Sequence, residues 1–186
     1  MHSAPAMRFP MTLSSLVKAI TAFTFVLLAV VVPFQWWFIA HVPVPFIRTA
    51  MAVGTAVSLL ALVFVVLITP RAVRLDGAKL SIERLGWSDF VVPLRQVTRV
   101  EAGPALTLFS GDVRRVAGNG GMLGFTGFFH VKDVGLVRCW ATRLETPTVL
   151  IHRTHERPVL LGVDDAPALL SALQARVGAS PSGRVV

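Results

Sequence analysis

Two stretches of this chain carry no ionisable side chain. "AITAFTFVLLAVVVPFQWWFIA" runs from Ala19 to Ala40 and "TAMAVGTAVSLLALVFVVLIT" from Thr49 to Thr69, both free of Asp, Glu, Lys, Arg and His. A helix crosses a hydrocarbon core about 30 Å thick with roughly 20 such residues, so each run is long enough to span. The chain as a whole is 54% hydrophobic and only 15% charged, against about 25% charged in soluble domains. The first run also resembles a secretory signal, with Arg8 and Lys18 ahead of it. No small-x-small cleavage site follows, however, and the run ends in bulky "FQWWFI". The expectation is an integral membrane protein. Pro33 and Gln35 weaken the second half of the first span and call for a neighbouring helix to satisfy what they disturb.

The link "HVPVPFIR" (His41 to Arg48) is too short for a domain, so the two spans form a hairpin. Arg8 and Lys18 precede it and Arg71, Arg74 and Lys79 follow it, against Arg48 alone in the link. The positive-inside rule then places both termini in the cytoplasm, with Trp36 and Trp37 near the outer interface. The divisions are a short cytoplasmic N-terminus (1–18), the transmembrane hairpin (19–70), a cytoplasmic domain (71–178) and a disordered tail (179–186). The net charge of +8 suits a domain held beside an anionic leaflet. The basic residues are dispersed, without the basic helix or stacking aromatics of a nucleic-acid module, and no nucleic-acid partner is expected.

After Pro70 the pattern changes to short runs of strand character. Asp76-Gly77 marks a hairpin, Pro93 a strand end and Gly103-Pro104 a turn. Further runs are "ALTLFS", "GFFHVKDVG", "LVRCWAT", "TVLIHRT" and "PVLLGV". Seven or eight antiparallel strands at hairpin spacing imply a barrel or sandwich. Cys139 is the only cysteine, so no internal disulfide exists, and its strand context makes it a small buried hydrophobe. "DDAPALLSALQARV" (Asp164 to Val177) is the one helix of this part. Its two aspartates read as caps, and Leu169, Leu170, Leu173 and Val177 form an apolar face.

Strands closed by a single helix behind a transmembrane hairpin resemble the bacterial PH-domain (pleckstrin-homology-like) membrane family. The resembling segments are "VPLRQVTRVE" (Val92 to Glu101), "RRVAGNGGMLGFTGFF" (Arg114 to Phe129), "LVRCWATRLETPTVLI" (Leu136 to Ile151) and "RPVLLGVDDAPALLSAL" (Arg157 to Leu173). With the hairpin they cover nearly the whole chain. The resemblance implies a split β-barrel with a capping helix at a membrane. It implies no reaction, and no catalytic residue is carried over.

The glycine-rich segment, Gly118, Gly120, Gly121, Gly124 and Gly127 behind Arg114 and Arg115, invites a phosphate reading. It fails G-x-G-x-x-G because Leu123 stands where the third glycine belongs, and it fails the P-loop because no lysine follows. Both motifs also need a helix afterwards, whereas strand follows here. Three readings stay open: a structural turn with bulges, an interfacial or partner contact involving Phe125, Phe128 and Phe129, and a phosphate ligand. His152, His155 and Glu156 lack metal spacing on a strand, His130 is isolated, and Ser110 lacks the G-x-S-x-G context. No metal, cofactor or catalytic group is expected. The chain reads as a non-enzymatic binding or scaffolding module at the membrane surface. Arg71, Arg74, Arg114, Arg115 and Phe125 are its contacts to anionic lipid headgroups or a partner. An accessory subunit of a larger membrane complex is the second expectation, with self-association or another span packing on Ala52, Gly54, Ala56 and Ser58.

Overall fold

The computed structural model describes residues 6–106, 112–143 and 146–179. Ser110 and most of "ALTLFS" lie outside the described residues. So does the tail 179–186, apart from Ala179.

The chain begins with a strand, β1 (Met7–Pro10), and then enters α1 (Ser15–His41) and α2 (Pro45–Leu67). Ser14 caps α1 by accepting from the Val17 N–H, and Pro45 opens α2 at a position where its missing N–H costs nothing. α1 continues through Pro33. Hydroxyls within the spans donate to carbonyls one turn back, as Thr24 does to Ile20, Thr55 to Met51 and Ser58 to Gly54. No hydroxyl of these three is therefore left without a partner in an apolar surround. Only 11% and 6% of the most apolar windows of α1 and α2 are buried by protein. The rest of the described chain thus leaves the apolar faces of these helices uncovered, unlike those of core helices.

β2 (Pro70–Leu75) returns from α2 and pairs antiparallel with β1, placing Met7 opposite Leu75 and Pro10 opposite Ala72. The apolar helical hairpin is thus an insertion between two neighbouring strands of one sheet. β3 (Lys79–Arg84) and β4 (Phe90–Pro93) complete this four-stranded sheet, with the Asp76-Gly77 turn joining β2 to β3 as its residues require.

β5 (Val97–Gly103), β6 (Val113–Gly121), β7 (Gly124–Val131), β8 (Gly135–Ala141), β9 (Thr148–Arg153) and β10 (Val159–Gly162) form a second sheet in the order β5-β9-β10-β8-β7-β6. The described residues hold nine strands after the hairpin, rather than seven or eight, and β1 ahead of it. One pair, β8 with β10, is parallel, so the second sheet is mixed and no closed barrel forms. β9 is buried from Thr148 to Ile151, and β10 along its whole length. Runs without alternation are what a central strand covered on both faces requires. On one face Val149, Ile151, Val159, Leu161 and Trp140 pack against the first sheet and α3 (Ala166–Ala179). On the other, Leu150, Leu160, Val137, Cys139, Phe125 and Phe129 pack with Val17 of α1.

α3 closes the first core with fully buried Leu169 and Leu173, with Leu170 and Val177 beside them. The two aspartates divide their work. Asp165 caps the helix by accepting from the Ala168 N–H at 3.0 Å. Asp164 instead accepts from both the N–H and the hydroxyl of Thr12, each at 3.0 Å, and meets Arg143 at 3.3 Å. The expected double cap is therefore a cap and a clasp, and the clasp holds the segment leading into α1.

Leu173→Ala is expected to lower stability by about 2–5 kcal/mol through lost burial and a residual cavity; thermal unfolding of the full-length chain in detergent measures it. The fully buried Cys139 thiol is pushed well above its ordinary value by desolvation. Its thiolate is correspondingly scarce, so it is expected to resist maleimide at neutral pH in the folded chain and to react once the chain is unfolded.

Candidate functional site

Most of the unusual backbone lies in the β6–β7 hairpin, whose turn meets α1. Gly118 on β6 and Gly127 on β7 stand opposite each other, at φ +116° and +131°. A Cβ on Gly118 would lie 2.3 Å from the Thr126 carbonyl oxygen, and one on Gly127 would lie 2.3 Å from that of Ala117. Only glycine fits here. A bulge between Arg115 and Ala117 precedes the pair, bending β6 as an extra residue does. Gly120 leaves room for the Arg115 side chain, whose Cδ would sit 3.0 Å from an added Cβ. The glycines are occupied with strand pairing, and β7 follows them where a nucleotide motif would need a helix.

The turn of this hairpin docks on α1. Leu123 adopts φ +58°, a left-handed conformation that costs a non-glycine residue about 1 kcal/mol or more. Its N–H donates to the Thr21 hydroxyl at 2.9 Å, and that hydroxyl donates in turn to the Val17 carbonyl at 2.7 Å. Thr21 is buried at this contact and Val17 is wholly buried. The glycine-rich segment is thus a turn and also a contact with the apolar hairpin. Phe125, expected at a membrane or partner surface, lies instead 5% exposed in the second core, edge-on to Phe129 at 6.4 Å. Pairing with Ala141 turns its side chain inward.

A second contact forms at the end of α2. The Leu85 N–H donates to the Thr69 carbonyl and the Gly86 N–H to the Leu67 carbonyl, both at 3.0 Å. Trp87 meets Phe64 edge-on at 5.6 Å while staying half exposed. About 20 residues of each helix separate these contacts from the link Val42–Val44. At 1.5 Å per residue that is about 30 Å, one hydrocarbon thickness.

The arginines expected as contacts lie on different sheets. Arg71 and Arg74 are exposed on β2, Arg74 pairing with Asp76 at 3.2 Å. Arg114 and Arg115 are exposed on β6, an edge strand, with His130 opposite Arg114. His152 pairs with Glu101 at 2.7 Å, and His155 stands on the exposed turn after β9. Among the described residues no three His, Cys, Asp or Glu side chains gather as metal ligands.

A cluster that sequence reasoning missed lies at the edge of the space between the sheets. The Arg138 guanidinium sits over Phe90 at 4.3 Å, Trp140 at 5.3 Å and Phe128 at 5.9 Å. Arg84 shares the Trp140 ring at 5.4 Å, Arg153 shares Phe90 at 5.8 Å, and Arg157 shares Phe128 at 5.1 Å. Burial, then Arg153, hold Arg138 below the usual arginine value. Burial and then Arg138 do the same to Arg84, with Asp89 opposing. These residues are scattered from 84 to 157 in the sequence. The spacing Arg138-x-Trp140, two residues of one strand face, was the only local sign.

A family model described as "Bacterial PH domain" matches residues 71–177. No curated protein and no solved structure matches the chain. The matched span begins after the apolar hairpin, whereas the folded domain also includes β1 and the first turns of α1.

Thr21→Val keeps shape but removes the acceptor for the Leu123 N–H, a loss of about 1–3 kcal/mol. Amide hydrogen exchange of residues 121–124 in the full-length chain is expected to accelerate at least severalfold while β10 is unchanged. Gly127→Ala, which forces two strands apart, is expected to unfold the β6–β7 hairpin outright.

Proposed function

We propose that this chain, which belongs to the bacterial PH-domain family, is a non-enzymatic inner-membrane protein whose β domain is a binding or scaffolding module held against the bilayer. The observation that carries this is the insertion of the apolar hairpin between two paired strands. If the hairpin spans, both of its ends return to one sheet and therefore to one side of the membrane. Charge supports the cytoplasmic side: Arg8, Lys18, Arg71, Arg74 and Lys79 flank the domain end, against Arg48 at the tip. The tip also carries the exposed Trp36 and Trp37, residues suited to an interface.

Confinement to two dimensions raises the effective concentration of the domain for partners in the same membrane. Arg71, Arg74, Arg114 and Arg115 supply dispersed positive charge for an anionic leaflet, each worth about 1 kcal/mol near the surface. Phe125 is removed from this set by its burial.

The accessory-subunit reading draws on the helices themselves. A Cβ at Gly54 would meet nothing within 4 Å, and of α2 only Thr55 is buried. A stoichiometric partner retained through gentle detergent purification, and lost on Gly54→Leu, would support it.

Two measurements on the full-length chain test the main reading. In cells, membrane-impermeant maleimide is expected to label Val44→Cys at the tip but not Gly77→Cys in the domain; Cys139, being buried, stays silent. The reverse pattern would invert the orientation, and labelling of both sites would remove the span. In nanodiscs, anionic lipid is expected to slow amide exchange on β6 a few-fold in a salt-sensitive way. Arg114→Glu with Arg115→Glu should abolish that slowing, and identical exchange in neutral and anionic discs would count against lipid contact.

A further inference from the structure

The cluster of Arg84, Arg138, Arg153 and Arg157 has more positive charge than its surroundings balance. Glu156 pairs with Arg153, and Asp89 acts on Arg84 from beyond ion-pair distance. Among the described residues no carboxylate lies within ion-pair distance of Arg84, Arg138 or Arg157. Burial first, and after it the neighbouring guanidinium, lower both Arg84 and Arg138, since like charges held close out of water repel. The aromatic rings beneath hold the guanidinium groups in place by cation–π attraction. They supply no counter-charge.

A second observation points the same way. The Arg84 Nε–H and the Trp140 Nε1–H are buried and have no acceptor among the described residues. Buried donors without partners cost about 1–3 kcal/mol each and call for an explanation. Both belong to the same cluster, since the Arg84 guanidinium lies over the Trp140 ring. Every unmet need here is for an acceptor and a negative charge.

We propose that this cluster binds a phosphate group, with Arg84, Arg138 and Arg157 as its cationic ligands and the orphaned N–H groups as further donors. A tetrahedral oxyanion offers several oxygens to donors arriving from different elements, here β3, β8 and the β9–β10 turn. A planar carboxylate is satisfied by one guanidinium fork. Location selects the source of the phosphate. Arg84 also donates to the Ser88 carbonyl, closing the base of the turn whose Gly86 and Trp87 rest on Leu67 and Phe64 of α2. The cluster therefore stands beside the point where α2 ends, at the level of lipid headgroups in the proposed topology. A soluble phosphate ester shares the chemistry, and the site itself goes beyond the bilayer reading without depending on it.

The test uses the full-length chain in nanodiscs. One arm contains phosphatidylglycerol and follows the lipid retained after delipidation by native mass spectrometry. The other arm uses neutral phosphatidylcholine discs and titrates glycerol 3-phosphate, followed by thermal shift. Phosphate binding in either arm is expected to weaken about tenfold or more in Arg138→Gln and in Arg157→Gln, the scale of one charged hydrogen bond. Lys132→Gln, in the exposed turn between β7 and β8, should leave it unchanged. Dependence in the first arm alone assigns a lipid headgroup; dependence in the second assigns a free ester and survives even if the spanning topology is wrong. The site is overturned if neither probe binds, or if Lys132→Gln weakens binding as much as the cluster variants do. Should Arg138→Gln unfold the domain, Arg157→Gln on the exposed turn decides alone.

Discussion

The pairing of β1 with β2 is the constraint on which the rest depends. The chain leaves the first sheet at Pro10, makes a helical hairpin with two long apolar arms, and re-enters the same sheet at Pro70 as the neighbouring strand. Strands about 4.8 Å apart can be joined through such an excursion only if the two helices leave the domain close together. The domain is consequently not hung from the helices by a linker. It is sewn to them at both ends of the insertion, through Asp164 and Thr12 ahead of α1 and through the Leu85 and Gly86 amides behind α2. A domain held this way presents one fixed surface to whatever lies around the helices.

The second core follows from that attachment. The six-stranded sheet is apolar on both faces, and the first sheet with α3 covers only one of them. Val17, from the first turn of α1, is wholly buried against the other, and the glycine-rich turn reaches Thr21 one turn later. The opening turns of α1 thus serve the β domain, and the apolar length that remains fits one hydrocarbon thickness. The strain at Leu123 sits in the turn that meets α1, and the close contact of Gly118 with Gly127 lies in the hairpin that carries this turn.

Much of this was legible in advance, for physical reasons that differ by element. α1, α2 and α3 announce themselves because apolar length and 3.6-residue periodicity are local properties, and the Asp76-Gly77 hairpin because turn chemistry is local too. β1 was not legible. "MRFP" is four residues long, and nothing near it in sequence says that its partner lies beyond two apolar helices of 27 and 23 residues. Asp164 and Asp165 looked equivalent; one faces the helix end and the other faces Thr12, a distinction made only by packing. Phe125 looked like a surface aromatic beside glycines until its register with Ala141 placed it in the core.

By itself, then, the amino-acid sequence determined the two apolar helices, the strand-rich domain behind them and its closing helix. Each is set by side chains a few positions apart. Tertiary structure alone decided that the domain begins before the hairpin, that α1 completes its second core, and that Arg84, Arg138, Arg153 and Arg157 share three aromatic rings. Those outcomes depend on strand register and on which faces meet, and contacts between distant residues leave no periodic trace along the chain.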